Sequence, residues 1–216
     1  MTLDTSKTKH GPLWVILAAV LWGTTGTAQA LAPVGATPIM IGALRLAIGG
    51  LALLVLAGTR GRLRSGQPWP FWTTFLAAIN VAAYQLFFFA GVARAGVAIG
   101  TIVGIGSAPI WGGVLGYFVR RERPSTRWGI STLLAVMGCG LLALTSDNVT
   151  VDPWGILLAI GAGLTYATYT TTSKGVLERQ SPDAAMAIIF SLGALLLAPI
   201  LLTANLAWLA QPRSIL

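Results

Sequence analysis

Apolar residues run along this chain in blocks of membrane length, and the short polar segments between them hold most of the charge. A bilayer core about 30 Å thick needs roughly 20 apolar residues of helix. Seven stretches reach that length: residues 12–33, 37–58, 70–93, 96–119, 127–145, 153–175 and 183–210. The pattern predicts an all-α integral membrane protein with seven transmembrane helices and no segment reserved for a soluble domain. Some blocks nevertheless admit polar residues. The first ends in LWGTTGTAQALAP, residues 21–33, which reads as a signal-peptide cleavage region, an ordinary helix end or the wall of a polar cavity.

Composition agrees with the pattern. Hydrophobic residues make up 55% of the 216 residues and charged residues 9%, against about 25% charged in soluble domains. The net charge of +8 then becomes a statement about topology. Lys7, Lys9, Arg60, Arg62, Arg64, Arg120, Arg121, Arg123, Arg127, Lys174 and Arg179 fall on one side if every span crosses. Arg94, Asp147, Asp152 and, if the last span completes, Arg213 fall on the other. The positive-inside tendency makes the N-terminus cytoplasmic. Nucleic acid is therefore no expected partner, and the lipid bilayer is one.

Ala28-Gln29-Ala30 behind a basic leader has the form of a cleavage site. Two features oppose cleavage. The stretch from Pro12 to Pro33 is long enough to span, and it recurs later. An offset of 144 residues places spans one and two on spans six and seven, with eleven identities over residues 13–59. Pro38 falls on Pro182, Thr24 on Thr168, Gly49 on Gly193, Thr59 on Thr203, and Trp22 on Tyr166, each aromatic opening a Thr-rich run. A repeat that restarts after five helices starts on the opposite side, so its second copy is inverted, an architecture recurrent in secondary transporters. The expected division is 1–145 for the first copy and 146–216 for two helices of the second. A complete second copy needs roughly 70 to 80 further residues and three more spans, so the expectation is a truncated chain whose QPRSIL end is a loop.

Helical spacing selects the candidate site. Residues at i, i+4 and i+7 share a face, which aligns Trp22, Gly26 and Gln29, with Thr25 beside them. The offset carries that stripe to Tyr166, Thr170 and Ser173, flanked by Tyr169. Asn80 and Tyr84 are also four apart, next to Gln85. Polar side chains inside a span turn toward the bundle or a watery cavity. A lining of hydroxyls, amides and rings with few charges suits zwitterionic or amphipathic small molecules. Threonines 24 and 27 have the alternative of bonding their own helix, and Asn80 and Gln85 that of joining helices. Trp69, Trp72, Trp128 and Trp154, beside loops, read as interface anchors. Arg45 is the charged residue well inside a span and reads as a structural or gating group bonded to carbonyls or hydroxyls, with direct substrate contact and snorkelling to the outer loop as the alternatives. Gly96, Gly100 and Gly104 read as a close-packing face, and Pro109 as a kink and hinge.

Several function classes are excluded or disfavoured. One His10 and one Cys139 supply neither metal ligands nor a nucleophile with its base, so no enzyme, metal or cofactor is expected. No Walker A pattern occurs. No Asp or Glu lies in the interior of a span, Asp183 only opening the seventh; an intramembrane carboxylate is the usual proton site of a proton-coupled carrier. A structural or assembly role remains the alternative to transport.

The assembled motifs resemble one family. LWG in span one, Pro38 and Arg45 in TPIMIGALRLAIGG, YQLFFFAGVARAGVAIGTIV across spans three and four, Pro109, Glu122 in RRERP and the glycines of RWGISTLLAVMGCGLLAL together resemble the EamA-type transporters of the drug/metabolite transporter superfamily. The resemblance implies ten helices in two inverted five-helix repeats, of which seven are present here. It implies a bacterial cytoplasmic membrane and export, or less often uptake, of amino acids and other small metabolites, with a multidrug or other metabolite carrier as the variant.

Overall fold

A computed structural model describes residues 11–33, 35–63, 67–144 and 152–210. Lys7, Lys9, His10, Arg64, Asp147 and Arg213 lie outside the described residues, as do the side chains of Arg120 and Cys139. The described chain is helical: α1 (Gly11–Gly23), α2 (Thr25–Ala30), α3 (Pro38–Thr59), α4 (Phe71–Ala95), α5 (Val97–Arg120), α6 (Thr126–Leu144), α7 (Pro153–Leu177), α8 (Pro182–Thr203) and a closing 3-10 turn (Ala207–Ala210).

Local chemistry sets these boundaries. Thr37, Asp152 and Ser181 each cap a helix that has proline at its first position, where a missing N–H costs nothing. The caps accept from Met40, Trp154 and Ala184 backbone N–H groups at 3.3, 2.9 and 3.3 Å. Helices α3 and α8 are each 22 residues long and start and stop at positions 144 apart. Between α1 and α2 the ladder slips only at Thr24. Its hydroxyl donates to Leu21 O at 2.8 Å, while Ala28 N still reaches Thr24 O, so the first span continues through. The seventh span is shorter than predicted. It ends at Thr203, and the Asn205 side chain then accepts from Ala207 N at 3.0 Å to start the closing turn.

Five described helical segments are long and apolar enough to cross a bilayer: 11–30, α3, α4, 97–119 and α8. Helix α7 has the length but not the hydropathy, because its second half reads TYATYTTTSK. It sits centrally instead, packed on α4, α5 and α8, while α3 packs on α8 and α4. This placement removes its polar side chains from lipid.

Backbones approach closely where α4 meets α7. A Cβ at Gly91 would lie 2.9 Å from Ala159 N, and one at Gly155 2.6 Å from Ala95 N. Only glycine fits either place, and dispersion between the two backbones replaces the hydrophobic drive absent in lipid. Helices α3 and α8 meet similarly, with Gly50 against the Phe190 backbone. The expected close-packing glycines of α5 hold at two of three positions. Gly100 packs on Val92 of α4, and Gly104 meets Phe88 and Ala159. Gly96 belongs to no face, because its φ of +83° makes the turn between α4 and α5.

Among the described residues, an ion pair lies at each end of the bundle. Arg60 joins Asp183 at 3.2 Å at one end, and Arg94 joins Asp152 at 3.5 Å at the other. Each pair links loops that an every-span-crosses topology places on the same side. The face of α1 carries no buried residue, and its exposed Trp14, Val15 and Leu21 match a lipid environment.

Candidate functional site

The centre of the bundle is a connected series of rings. Trp22 from α1 and Tyr166 from α7 lie 5.4 Å apart between centroids. Tyr84 from α4 is 5.4 Å from Tyr166 and 5.5 Å from Phe88. Tyr169 continues the series, 6.1 Å from both Tyr166 and Phe190 of α8. All are within the range of favourable offset or tilted ring pairs. The two aromatics that the 144-residue offset equates thus touch each other.

Two cavities adjoin this series, and a third meets the second at Arg45. A cavity of about 580 Å³ opens toward the end with the basic loops. Trp22, Tyr84, Tyr166 and Thr170 form part of its lining, together with Pro109 and Ala108 of α5, and its rim holds Glu122, Arg123 and Lys174. A second space, about 360 Å³, is a ring-lined chamber that shares Trp22, Tyr84 and Tyr166 with the first and adds Tyr169, Phe190, Gln85 and Arg45. A third, about 940 Å³, lies toward the other end and includes Thr25, Gln29, Arg45, Phe89 and Trp208. All three have the size of small-molecule sites. Trp22, Tyr84 and Tyr166 border the first cavity and the chamber together, and Arg45 borders the chamber and the third cavity.

The predicted stripes are therefore divided rather than continuous. Trp22 faces the basic-end cavity, while Thr25 and Gln29 face the far-end one. Gly26 between them is buried against Val97 and Thr101 of α5. Gln29 donates to Phe89 O at 3.0 Å, which anchors α2 to α4. Thr170 lines the basic-end cavity and also donates to Ala167 O at 2.9 Å. Tyr169 lines the chamber, its hydroxyl 3.2 Å from Met186 Sδ. Asn80 stands apart. Its side chain donates to Leu76 O one turn back at 2.9 Å and lines none of the three cavities.

Two polar groups differ from their expected surroundings. Among the described residues, Arg45 Nη1 is buried without a hydrogen-bond partner, where a bond to a carbonyl or hydroxyl was expected. The Tyr84 hydroxyl lies near the Trp22 side chain but makes no hydrogen bond of acceptable geometry. Trp128 is also displaced from its interface reading. It borders the basic-end cavity, its ring over Gly113. Trp72 and Trp154, largely exposed, keep that reading, whereas Trp69 packs on the core. Glycines 112, 113 and 116 on α5 were the available signal for Trp128 and the cavity, since they leave one helix side without bulk. Helix α5 runs unbroken through Pro109, which faces that cavity.

Comparison with known proteins gives a consistent result. The sequence model of the EamA-like transporter family matches residues 9–144 and 153–215. The chain is 45% identical over 204 residues to uncharacterized transporter YwfM of Bacillus subtilis strain 168, covering 94% of this chain and 68% of that protein. It is 27% identical over 192 residues to an uncharacterized transporter of Archaeoglobus fulgidus, covering 87% of this chain and 67% of that one. A solved crystal structure with 23% identity superposes with a TM-score of 0.70 over 93% of this chain and 69% of its own, which extends the agreement to the fold.

Proposed function

Because the chain belongs to the EamA-like transporter family, we propose that it is a secondary transporter exporting amino acids or similar small metabolites by alternating access. The observation that carries this reading is the Trp22–Tyr166 contact at the inner end of the basic-end cavity. An internal repeat equates these two residues, and alternating access by repeats places the substrate where equivalent helices meet. Three facts support the repeat: the family model matches in two stretches, α3 and α8 share bounds at the 144 offset, and both have a hydroxyl cap followed by proline. Residues 1–145 are then one repeat and 146–216 the start of an inverted second.

In this reading the basic-end cavity is the cytoplasmic vestibule, and the N-terminus is cytoplasmic in a bacterial inner membrane. Trp22, Tyr84, Tyr166 and Thr170 contact substrate from the vestibule. Tyr169 meets it in the chamber, and Thr25 and Gln29 on the far side. The three shared rings divide vestibule from chamber, so repacking them opens one side while closing the other. Pro109, whose missing N–H weakens the α5 ladder beside the vestibule, is the flexing point. The described spans hold no carboxylate in their interior, Asp183 lying in the first turn of α8 at the bundle's end, which favours movement down a substrate gradient over proton coupling.

The test is flux. The protein reconstituted in liposomes should accumulate at least one labelled amino acid or related metabolite, with saturation. A well-folded sample that moves none of them rejects the amino-acid assignment. Flux of bulky cationic drugs instead would assign a multidrug carrier of the same fold.

A further inference from the structure

Among the described residues, Arg45 is the basic side chain farthest inside a spanning helix, seven residues from the start of α3. Its Nη1 is shielded from solvent and unpartnered, and among the described residues it has no ion pair. A guanidinium has five donors in a planar fork, and a structural arginine buried in a membrane normally spends them on carbonyls or a carboxylate. Among the described residues no acid answers it. The described acids are Glu122, Asp152, Glu178 and Asp183, all in loops or at helix ends. Two more unmatched groups adjoin it in the same chamber: Gln85 Oε1 and the Tyr84 hydroxyl, on side chains only 4% and 7% exposed.

We propose that the ring-lined chamber is a carboxylate subsite in which Arg45 receives the carboxylate of the transported molecule. The proposal rests on the transporter reading and names its substrate class: small molecules with one carboxylate and an apolar body. One cation balances one negative charge, whereas a dianionic phosphate would bring an uncompensated charge into a low-dielectric site. The planar fork pairs with a carboxylate through two parallel N–H···O bonds. Trp22, Tyr166, Tyr169 and Phe190 supply the apolar walls, and in a zwitterion the ammonium meets Gln85 Oε1 and the ring faces. Lys174 and Arg123 at the vestibule rim outnumber Glu122 there, a field that draws anions inward. Arg45 also borders the far-end cavity, so one group can hold the carboxylate from either side as access alternates.

The test uses the intact chain in phosphatidylcholine nanodiscs, with phenylacetate and its neutral amide phenylacetamide as probes and calorimetry as the readout. Phenylacetate should bind at least about tenfold more tightly than the amide, the scale of a hydrogen bond to a charged group. Arg45→Gln should bring the two within about twofold of each other. Arg45→Lys, which keeps the charge without the fork, should retain part of the preference. If Arg45→Gln does not fold, the ratio on the native protein and on Arg45→Lys decides. Equal affinity for the two probes in the native protein overturns the subsite, as does an undiminished preference in folded Arg45→Gln. Native mass spectrometry that finds phosphatidylglycerol retained by the native protein and lost from Arg45→Gln also overturns it, and gives Arg45 to a lipid phosphate. Flux distinguishes the two levels. Transport of neutral or cationic compounds without carboxylates sinks the subsite and leaves the transporter reading intact, whereas a probe preference without flux of any compound sinks the transporter reading alone.

Discussion

Trp22 and Asn80 show how similar sequence evidence separates once side chains are placed. Both lie inside spans, and helical spacing marks both for a cavity. Trp22 packs at a tilt on Tyr166 and faces the vestibule, whereas Asn80 satisfies itself on Leu76 O. Trp22→Ala removes ring contacts worth about 0.5–1.5 kcal/mol each, so KM for flux should rise roughly 2- to 12-fold. Trp22→Phe should restore most of that loss. Asn80→Ala should leave KM within about twofold. An unchanged KM in Trp22→Ala would remove the ring series from the substrate path. A large rise in Asn80→Ala would mean that α4 turns a different face to the substrate.

Helix contacts in this protein depend on which glycines are crowded, and neighbouring positions differ. A Cβ at Gly49 meets nothing within 4 Å, while one at Gly50 would lie 3.1 Å from the Phe190 backbone across the α3–α8 contact. Gly49→Ala should therefore be neutral, and Gly50→Leu should cost about 1–3 kcal/mol through overpacking. Gly91→Leu should cost at least as much, because it would force α4 from α7. Thermal denaturation in detergent reads all three, and comparable stability of Gly49→Ala and Gly50→Leu would contradict the close packing. The surface ion pair Arg60–Asp183 is a weak tie by comparison. With Arg60 more than half exposed, Asp183→Asn should change stability by less than about 1 kcal/mol.

At the scale of the whole molecule, the alternation of helix ends makes a topological prediction. Arg62 lies at the basic end and Asn205 at the other, both exposed. In a Cys139→Ser background, Arg62→Cys should react with a membrane-impermeant thiol reagent only after cells are opened. Asn205→Cys should react in intact cells. The reverse labelling would invert the orientation, and labelling of both from one side would break the seven-crossing topology. A packed centre made of α4 and α7, with the amphiphilic α7 kept from lipid, also predicts that a chain lacking α7 loses the chamber and the vestibule together.

What the sequence determined by itself follows from local and one-dimensional physics. Helix length is set by bilayer thickness, boundaries by hydroxyl caps, proline and glycine, and the basic loops by their alternation along the chain. These are properties of short segments, so the α class and most span limits were legible. The family likeness was legible for the same reason, as a set of short motifs in fixed order. Tertiary structure decided which polar residues share a space, because that depends on the rotation of each helix and on how closely glycines let neighbours approach. It divided one predicted stripe between two cavities, turned Asn80 back onto its own helix, and drew Trp128 from the interface to a cavity wall. Among the described residues it also left Arg45 Nη1 buried without the partner expected of it, and no reading of span three or span two alone could have shown that, since a missing partner is a property of every helix around it.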